Sequence, residues 1–154
     1  MSVVRAASEF HGTVHEAESC WLDTSSWPAW VDGLEYVLET TPDWPGEGAS
    51  VTWESGPAGR GRVRERVLAH EPLAGLTVAV EDQSITARQS VRFAPSDDGV
   101  EVELTLDYTI RKRSIVTPLI DVLFIKGAMQ RSIVTTLGRF GTHLAERRST
   151  PSGD

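Results

Sequence analysis

Glu65 is the residue whose surroundings most readily suggest chemistry. It lies in the run Arg62-Val63-Arg64-Glu65-Arg66-Val67, where period-two alternation puts Val63, Glu65 and Val67 on one face and the three arginines on the other. If the valines face an interior, Glu65 does too. A carboxyl in apolar surroundings resists ionisation and can act as acid or base near neutral pH. The plainer reading puts it near a cavity mouth or beside an interior cation, the more frequent fate of a carboxylate in such a pattern. Lys126 is the candidate cation, since it falls on the helical line Leu119, Val122, Lys126, Met129, Ile133. A lysine there also has the option of snorkelling past the edge into water. Gln89 shares a face with Ala87, Val91 and Phe93, and Tyr108 shares one with Leu104 and Leu106. A few polar groups in an apolar enclosure is the usual make-up of a small-molecule site. For Tyr108, a second candidate for chemistry, core packing with its hydroxyl satisfied is an equal reading.

Other arrangements come to nothing. His11 and His15 have i, i+4 spacing but no third partner, so no metal is expected. Cys20 and the histidines form no nucleophile arrangement, and no Gly-x-Ser-x-Gly elbow is present. Gly46-Glu47-Gly48 and Gly59-Arg60-Gly61 read as hairpin glycines, not phosphate loops between a strand and a helix, so no cofactor is expected. Trp53 alternates with Val51 and should face inward. Trp27 and Trp30 read as docking residues of short helices, Trp21 is ambiguous, and Trp44, between Pro42 and Pro45, reads as exposed at a cavity entrance.

The elements that would position these groups follow from the periodicities. A first strand over Val3–Phe10 precedes a short helix with the capping box Thr13 and Glu16. Asp23-Thr24-Ser25-Ser26 then caps a second turn at Trp27-Pro28-Ala29-Trp30, with Pro28 in a first-turn position. Six period-two segments follow: 34–40, 50–55, 61–70, 76–81, 85–94 and 100–111. Short turns separate most of them, including Gly56-Pro57-Ala58-Gly59 and Pro95-Ser96-Asp97-Asp98-Gly99, which implies an antiparallel meander. From Ser114 or Thr117, either of which could cap, to about Arg147 the spacing becomes helical. That makes a helix of about 30 residues and about 45 Å. Its first third is apolar almost all round (Ile115, Val116, Leu123, Phe124, Ile125), implying burial on more than one side. Residues 1–148 read as one domain and 149–154 as a polar tail.

Composition narrows the functions. The chain has 154 residues and a formal net charge of −7, which argues against nucleic acid and against an anionic membrane surface as partner. One cysteine permits no intrachain disulfide. No secretion signal is visible at the N-terminus, and the apolar stretch Leu119–Ile125 is too short to span a bilayer, so a cytoplasmic protein without stable membrane insertion is expected.

The segment Asp23-x-x-x-Trp27-Pro28-x-Trp30-Val31-x-Gly33-Leu34, followed by Pro45-Gly46-x-Gly48 and Glu71-Pro72, resembles the polyketide cyclase/dehydrase and lipid-transport family of the START-like (SRPBCC, birch-pollen-allergen-like) superfamily. The resemblance spans about residues 3–147 and rests on structural punctuation, so it specifies fold better than function. It implies an α+β helix-grip fold: a curved antiparallel sheet of six or seven strands around a long C-terminal helix, with two short helices after the first strand. It also implies a hydrophobic cavity between sheet and helix.

The residues expected to line that cavity are Trp53, Val63, Glu65, Val67, Gln89, Val91, Leu104, Leu106 and Tyr108 from the sheet, with Val122, Lys126, Met129 and Ile133 from the helix. The leading expectation is a carrier or binding protein for a small hydrophobic molecule such as a lipid, quinone or polyketide-like compound. The alternative is an aromatase/cyclase-like enzyme using Glu65 and Tyr108. A second alternative is a protein-interaction module using the apolar start of the helix, and the pattern also leaves room for a homodimer.

Overall fold

The computed structural model describes residues 2–56, 59–111 and 119–150. Seven strands, β1 (Ser2–Phe10), β2 (Leu34–Thr40), β3 (Ser50–Ser55), β4 (Arg62–Glu71), β5 (Gly75–Glu81), β6 (Ile85–Ser96) and β7 (Gly99–Ile110), form one antiparallel sheet in the order β1-β7-β6-β5-β4-β3-β2. Six successive strands pair in chain order, as their short connections require, and the first strand then joins the last. The expected end of β6 at Ala94 is corrected: the strand runs through Pro95 and Ser96, and the turn is only Asp97-Asp98. Proline is tolerated there because pairing with β5 stops at Arg92, so no ladder partner waits for its missing N–H.

Between β1 and β2 lie α1 (Val14–Leu22), a single 3-10 turn (Thr24–Ser26) and α2 (Trp27–Trp30). The Thr13–Glu16 capping box is complete: the Thr13 Oγ1 accepts from the Glu16 N–H at 3.1 Å, and the Thr13 N–H donates to Glu16 Oε1 at 3.0 Å. Asp23 caps the following turn by accepting from the Ser25 N–H. The long helix α3 (Leu119–Ser149) is unbroken. The caps proposed at Ser114 and Thr117, with Ile115 and Val116, lie outside the described residues.

α3 buries Ile133, Leu137, Phe140 and Leu144, the stripe that its spacing predicts. Phe140 meets Trp21 and Trp30 at ring-centroid distances of 5.0 Å each, and Trp21 meets Trp30 at 4.6 Å, so the short helices and α3 share one aromatic core. At its far end α3 is tied to the α1 region by Arg147–Asp23 (3.2 Å) and Arg148–Glu16 (3.1 Å). Along its length the Gln130 amide donates to the Arg5 carbonyl of edge strand β1 at 2.9 Å.

Two further expectations are corrected. Leu123 and Phe124 are 59% and 71% exposed, so the start of α3 is not buried all round. One helix on one sheet can cover only one stripe, whatever the composition of the other. Trp44 is not a free entrance residue: it is half-buried, its indole N–H donates to the Leu22 carbonyl at 2.9 Å, and its ring packs edge-on against Trp27. No helix among the described residues is long and apolar enough to cross a membrane.

Candidate functional site

The alternation on β4 holds: Val63, Glu65 and Val67 are buried on the concave face while Arg62, Arg64 and Arg66 are exposed on the convex one. Glu65 is therefore carried into the interior by strand geometry. Trp53 on β3 stands opposite Val63, one diagonal step away, and its indole reaches across to donate to Glu65 Oε2 at 2.7 Å. Burial holds the Glu65 carboxyl above the ordinary carboxylate range, against the opposing pulls of the Trp53 N–H and the Arg60 charge.

Glu65 lines a partly enclosed cavity of about 50 Å³ between sheet and α3. The sheet contributes Trp53, Glu65, Gln89, Leu104 and Leu106 to its wall, and α3 contributes Met129 and Ile133, all as expected from sequence. Val63, Val67 and Val91 are buried but pack into the core and do not reach the cavity. Tyr108 is also displaced from it. The register Glu65–Val80–Ala87–Tyr108 places the two side chains in one cross-strand row, three strand spacings apart. At about 4.8 Å per spacing their backbones stand about 14 Å apart, and Tyr108 is not among the residues of the wall. The Tyr108 hydroxyl is buried and has no hydrogen-bond partner among the described residues. Val122 and Lys126 are also outside the wall, and Lys126 is exposed. Val122 lies two turns before Met129, about 10 Å along the axis, whereas the cavity sits against the middle of α3.

Several wall residues were not anticipated. Ser132 and Thr136 join Met129 and Ile133 at i, i+3, i+4, i+7 spacing, a helical signal that a stripe drawn through apolar positions alone does not contain. Both are occupied by Asp32: Ser132 Oγ donates to Asp32 Oδ2 at 2.9 Å, and Thr136 Oγ1 accepts from the Asp32 N–H at 2.9 Å. Trp21, Trp27, Trp30 and Val31 close one end, so tryptophans read as fold residues also face the cavity.

Arg60 is the most consequential addition. It sits in the β3–β4 connection, where no periodicity could point it anywhere, beside Gly61 at φ +74°. That positive φ favours glycine, and the Gln83 side-chain amide lies close to it, so the β3–β4 and β5–β6 connections meet here. Arg60 bonds Asp82 Oδ2 through Nε, lies over the Trp53 ring with Cζ 5.9 Å from the centroid, and lines the cavity. Its Nη2 is buried with no hydrogen-bond partner among the described residues.

A larger open groove of about 530 Å³ lies on the convex face, but its Arg62, Arg64 and Arg111 are interleaved with Glu39 and Glu81. Arg111 pairs with Glu81, and Arg62 pairs with Glu54 beside the groove, as expected of a solvated charge row. No cluster among the described residues could hold a metal ion, and His11 and His15 are both exposed.

Comparison with known proteins places this architecture. A family described as polyketide cyclase/dehydrase and lipid transport matches residues 1–145. The chain belongs to that family. Solved structures agree in fold. The Zhui aromatase/cyclase from Streptomyces sp. R1128 superposes with a TM-score of 0.81 at 15% identity, covering 99% of each chain. The di-domain aromatase/cyclase StfQ of the steffimycin biosynthetic pathway gives 0.77 at 12% identity, with 96% of this chain covering 52% of that one. A START superfamily protein from Mycobacterium smegmatis gives 0.73 at 11% identity, covering 94% and 97%. At these identities the likeness establishes the helix-grip fold and nothing finer. No curated protein matches by sequence.

Proposed function

We propose that this member of the family binds a small hydrophobic molecule bearing an oxygen function, in the cavity between sheet and α3. The observation that carries the reading is the pairing, around one partly enclosed cavity of mixed polar and apolar lining, of a buried acid whose pKa burial raises with a guanidinium N–H that is buried and lacks a partner among the described residues. Left without a ligand or water, such a donor costs about 1–3 kcal/mol, so it is a natural anchor for a carbonyl or hydroxyl oxygen. Of the remaining wall, Gln89 offers a further polar group, Asp32, Ser132 and Thr136 are already hydrogen-bonded to one another, and the apolar side chains would contribute mainly area removed from water.

Size limits the occupant. About 50 Å³ holds a few waters, whereas drug-sized ligands occupy about 300–1,000 Å³. A molecule of one or two rings enters only if the wall yields, and Met129 is the suited element: unbranched, half-buried and on the cavity edge. Family membership and the aromatase/cyclase neighbours support a second reading about equally, in which the Glu65 carboxyl protonates a departing hydroxyl or a carbonyl of a polyketide-type substrate.

One experiment tests both. Tryptophan fluorescence is titrated with menadione and with 2-naphthol, and native mass spectrometry checks the purified protein for a retained small molecule. Ile133→Trp, which fills the cavity, should abolish binding. Glu65→Gln should change affinity only a few-fold if binding is the whole function. If the protein is a cyclase, Glu65→Gln should remove turnover at nearly unchanged affinity. Equal binding by wild type and the filled-cavity variant would defeat both readings.

A further inference from the structure

Asp82 is buried, with its side chain fully shielded from solvent, although it lies in the β5–β6 connection. Its two oxygens have separate tasks. Oδ1 accepts from the Ser84 N–H at 2.7 Å and the Ile85 N–H at 2.9 Å, closing the hairpin turn, while Oδ2 accepts from Arg60 Nε. The Asp82 main-chain carbonyl is held in turn by Arg111 at 3.0 Å. The carboxylate is thus fixed by its own turn before it meets the guanidinium.

We propose that Asp82 is the positioning residue of the cavity: it grips Arg60 through Nε, holds the guanidinium in place beside the cavity, and matches its charge so that Glu65 does not have to. The proposal rests on the reading of this cavity as the binding site. Three observations carry it. A guanidinium bonded through Nε to one fixed oxygen cannot turn that edge toward Glu65, and the Trp53 ring lies against its face. Among the described residues Glu65 takes a hydrogen bond from Trp53 and none from Arg60. The other titratable group on the cavity wall, Asp32, is occupied by Ser132, by its backbone bond to Thr136 and by Arg139 at 3.5 Å, so it does not compete for Arg60. Arg60 and Asp82 therefore form a charge-matched unit beside Glu65, whose burial outweighs the pulls of the Trp53 N–H and the Arg60 charge.

Asp82→Asn separates this role from that of a turn residue, because the amide oxygen can still accept from Ser84 and Ile85 while its NH2 cannot accept from Arg60. The readout is the Glu65 side-chain carboxyl carbon followed by NMR against pH in protein labelled with [13C]glutamate, assigned by its loss in Glu65→Gln. In Asp82→Asn the Glu65 midpoint should move to lower pH, because the released guanidinium turns to it. Adding Arg60→Gln should move the midpoint back up. A folded Asp82→Asn protein with an unmoved midpoint overturns the proposal. Should the variant fail to fold, the wild-type Arg60 Nε–H resonance decides: slow exchange, with loss in Arg60→Gln, is expected, and fast exchange with solvent overturns it. None of these measurements uses a ligand, so they can fail while the binding reading stands, or succeed while it falls.

Discussion

Two glycines one turn apart on α3 should respond to the same substitution with opposite signs. At Gly138 an added Cβ meets nothing within 4 Å, so Gly138→Ala should collect the ordinary helix-propensity gain, about 1 kcal/mol. At Gly141 the Cβ would lie 2.3 Å from Cε1 and 2.7 Å from Cδ1 of Phe10, where carbon contacts normally settle at about 3.5–4.0 Å. The ring must therefore retreat by about 1 Å or more, yet it is held edge-on against Phe140 with centroids 5.9 Å apart. Overpacking of this kind costs about 1–3 kcal/mol. After the same propensity gain, Gly141→Ala should be about 0–2 kcal/mol less stable than wild type. The two variants should thus differ by about 1–3 kcal/mol, or several degrees in Tm for a chain of this size. Urea unfolding followed by circular dichroism measures both. If Gly141→Ala proved as stable as Gly138→Ala, α3 would not lie against β1 as closely as described, and the enclosure of the cavity would be in question.

The raised Glu65 pKa predicts a direction for stability against pH. Its contribution is present in full below the ordinary carboxylate value and is lost as pH rises through the folded-state value, so Glu65→Gln should gain on wild type as pH rises; equal slopes in urea midpoints would contradict this. Thr13→Ala should cost about 0.5–2 kcal/mol in the same assay by opening the capping box. Phe140→Ala, at the centre of the aromatic core, should cost about 3–5 kcal/mol. Phe124→Ser, on the exposed face of α3, should move the midpoint little, and a large loss would mean that something covers that face.

The fold was largely legible in the sequence because each strand alternates cleanly and α3 changes period abruptly. The interior direction of Glu65 followed from its two valine neighbours alone. The extent of the cavity did not, because periodicity assigns a face but not a distance along or across it. Tyr108 shares the concave face with Glu65 yet stands three strands away, and Val122 shares the stripe of Met129 yet stands two turns away. Arg60 and Asp82 escaped notice for a different reason. They sit in connections, and only the meeting of two hairpins brings them together.

Joining the first strand to the last has a consequence for how the chain is made. β1 pairs with β7 from Ser2 opposite Tyr108 to Phe10 opposite Val100, so its partner is about a hundred residues downstream. At about 5–20 residues per second of synthesis, β1 waits about 5–20 s before that partner exists. The meander β2 to β7 can zip as it emerges, hairpin by hairpin, while β1 with its Val3-Val4 pair remains an unmatched sticky strand. α3, made after β7, then packs along β1 and reaches its backbone through Gln130, so the cavity closes only when the first strand and the long helix have met.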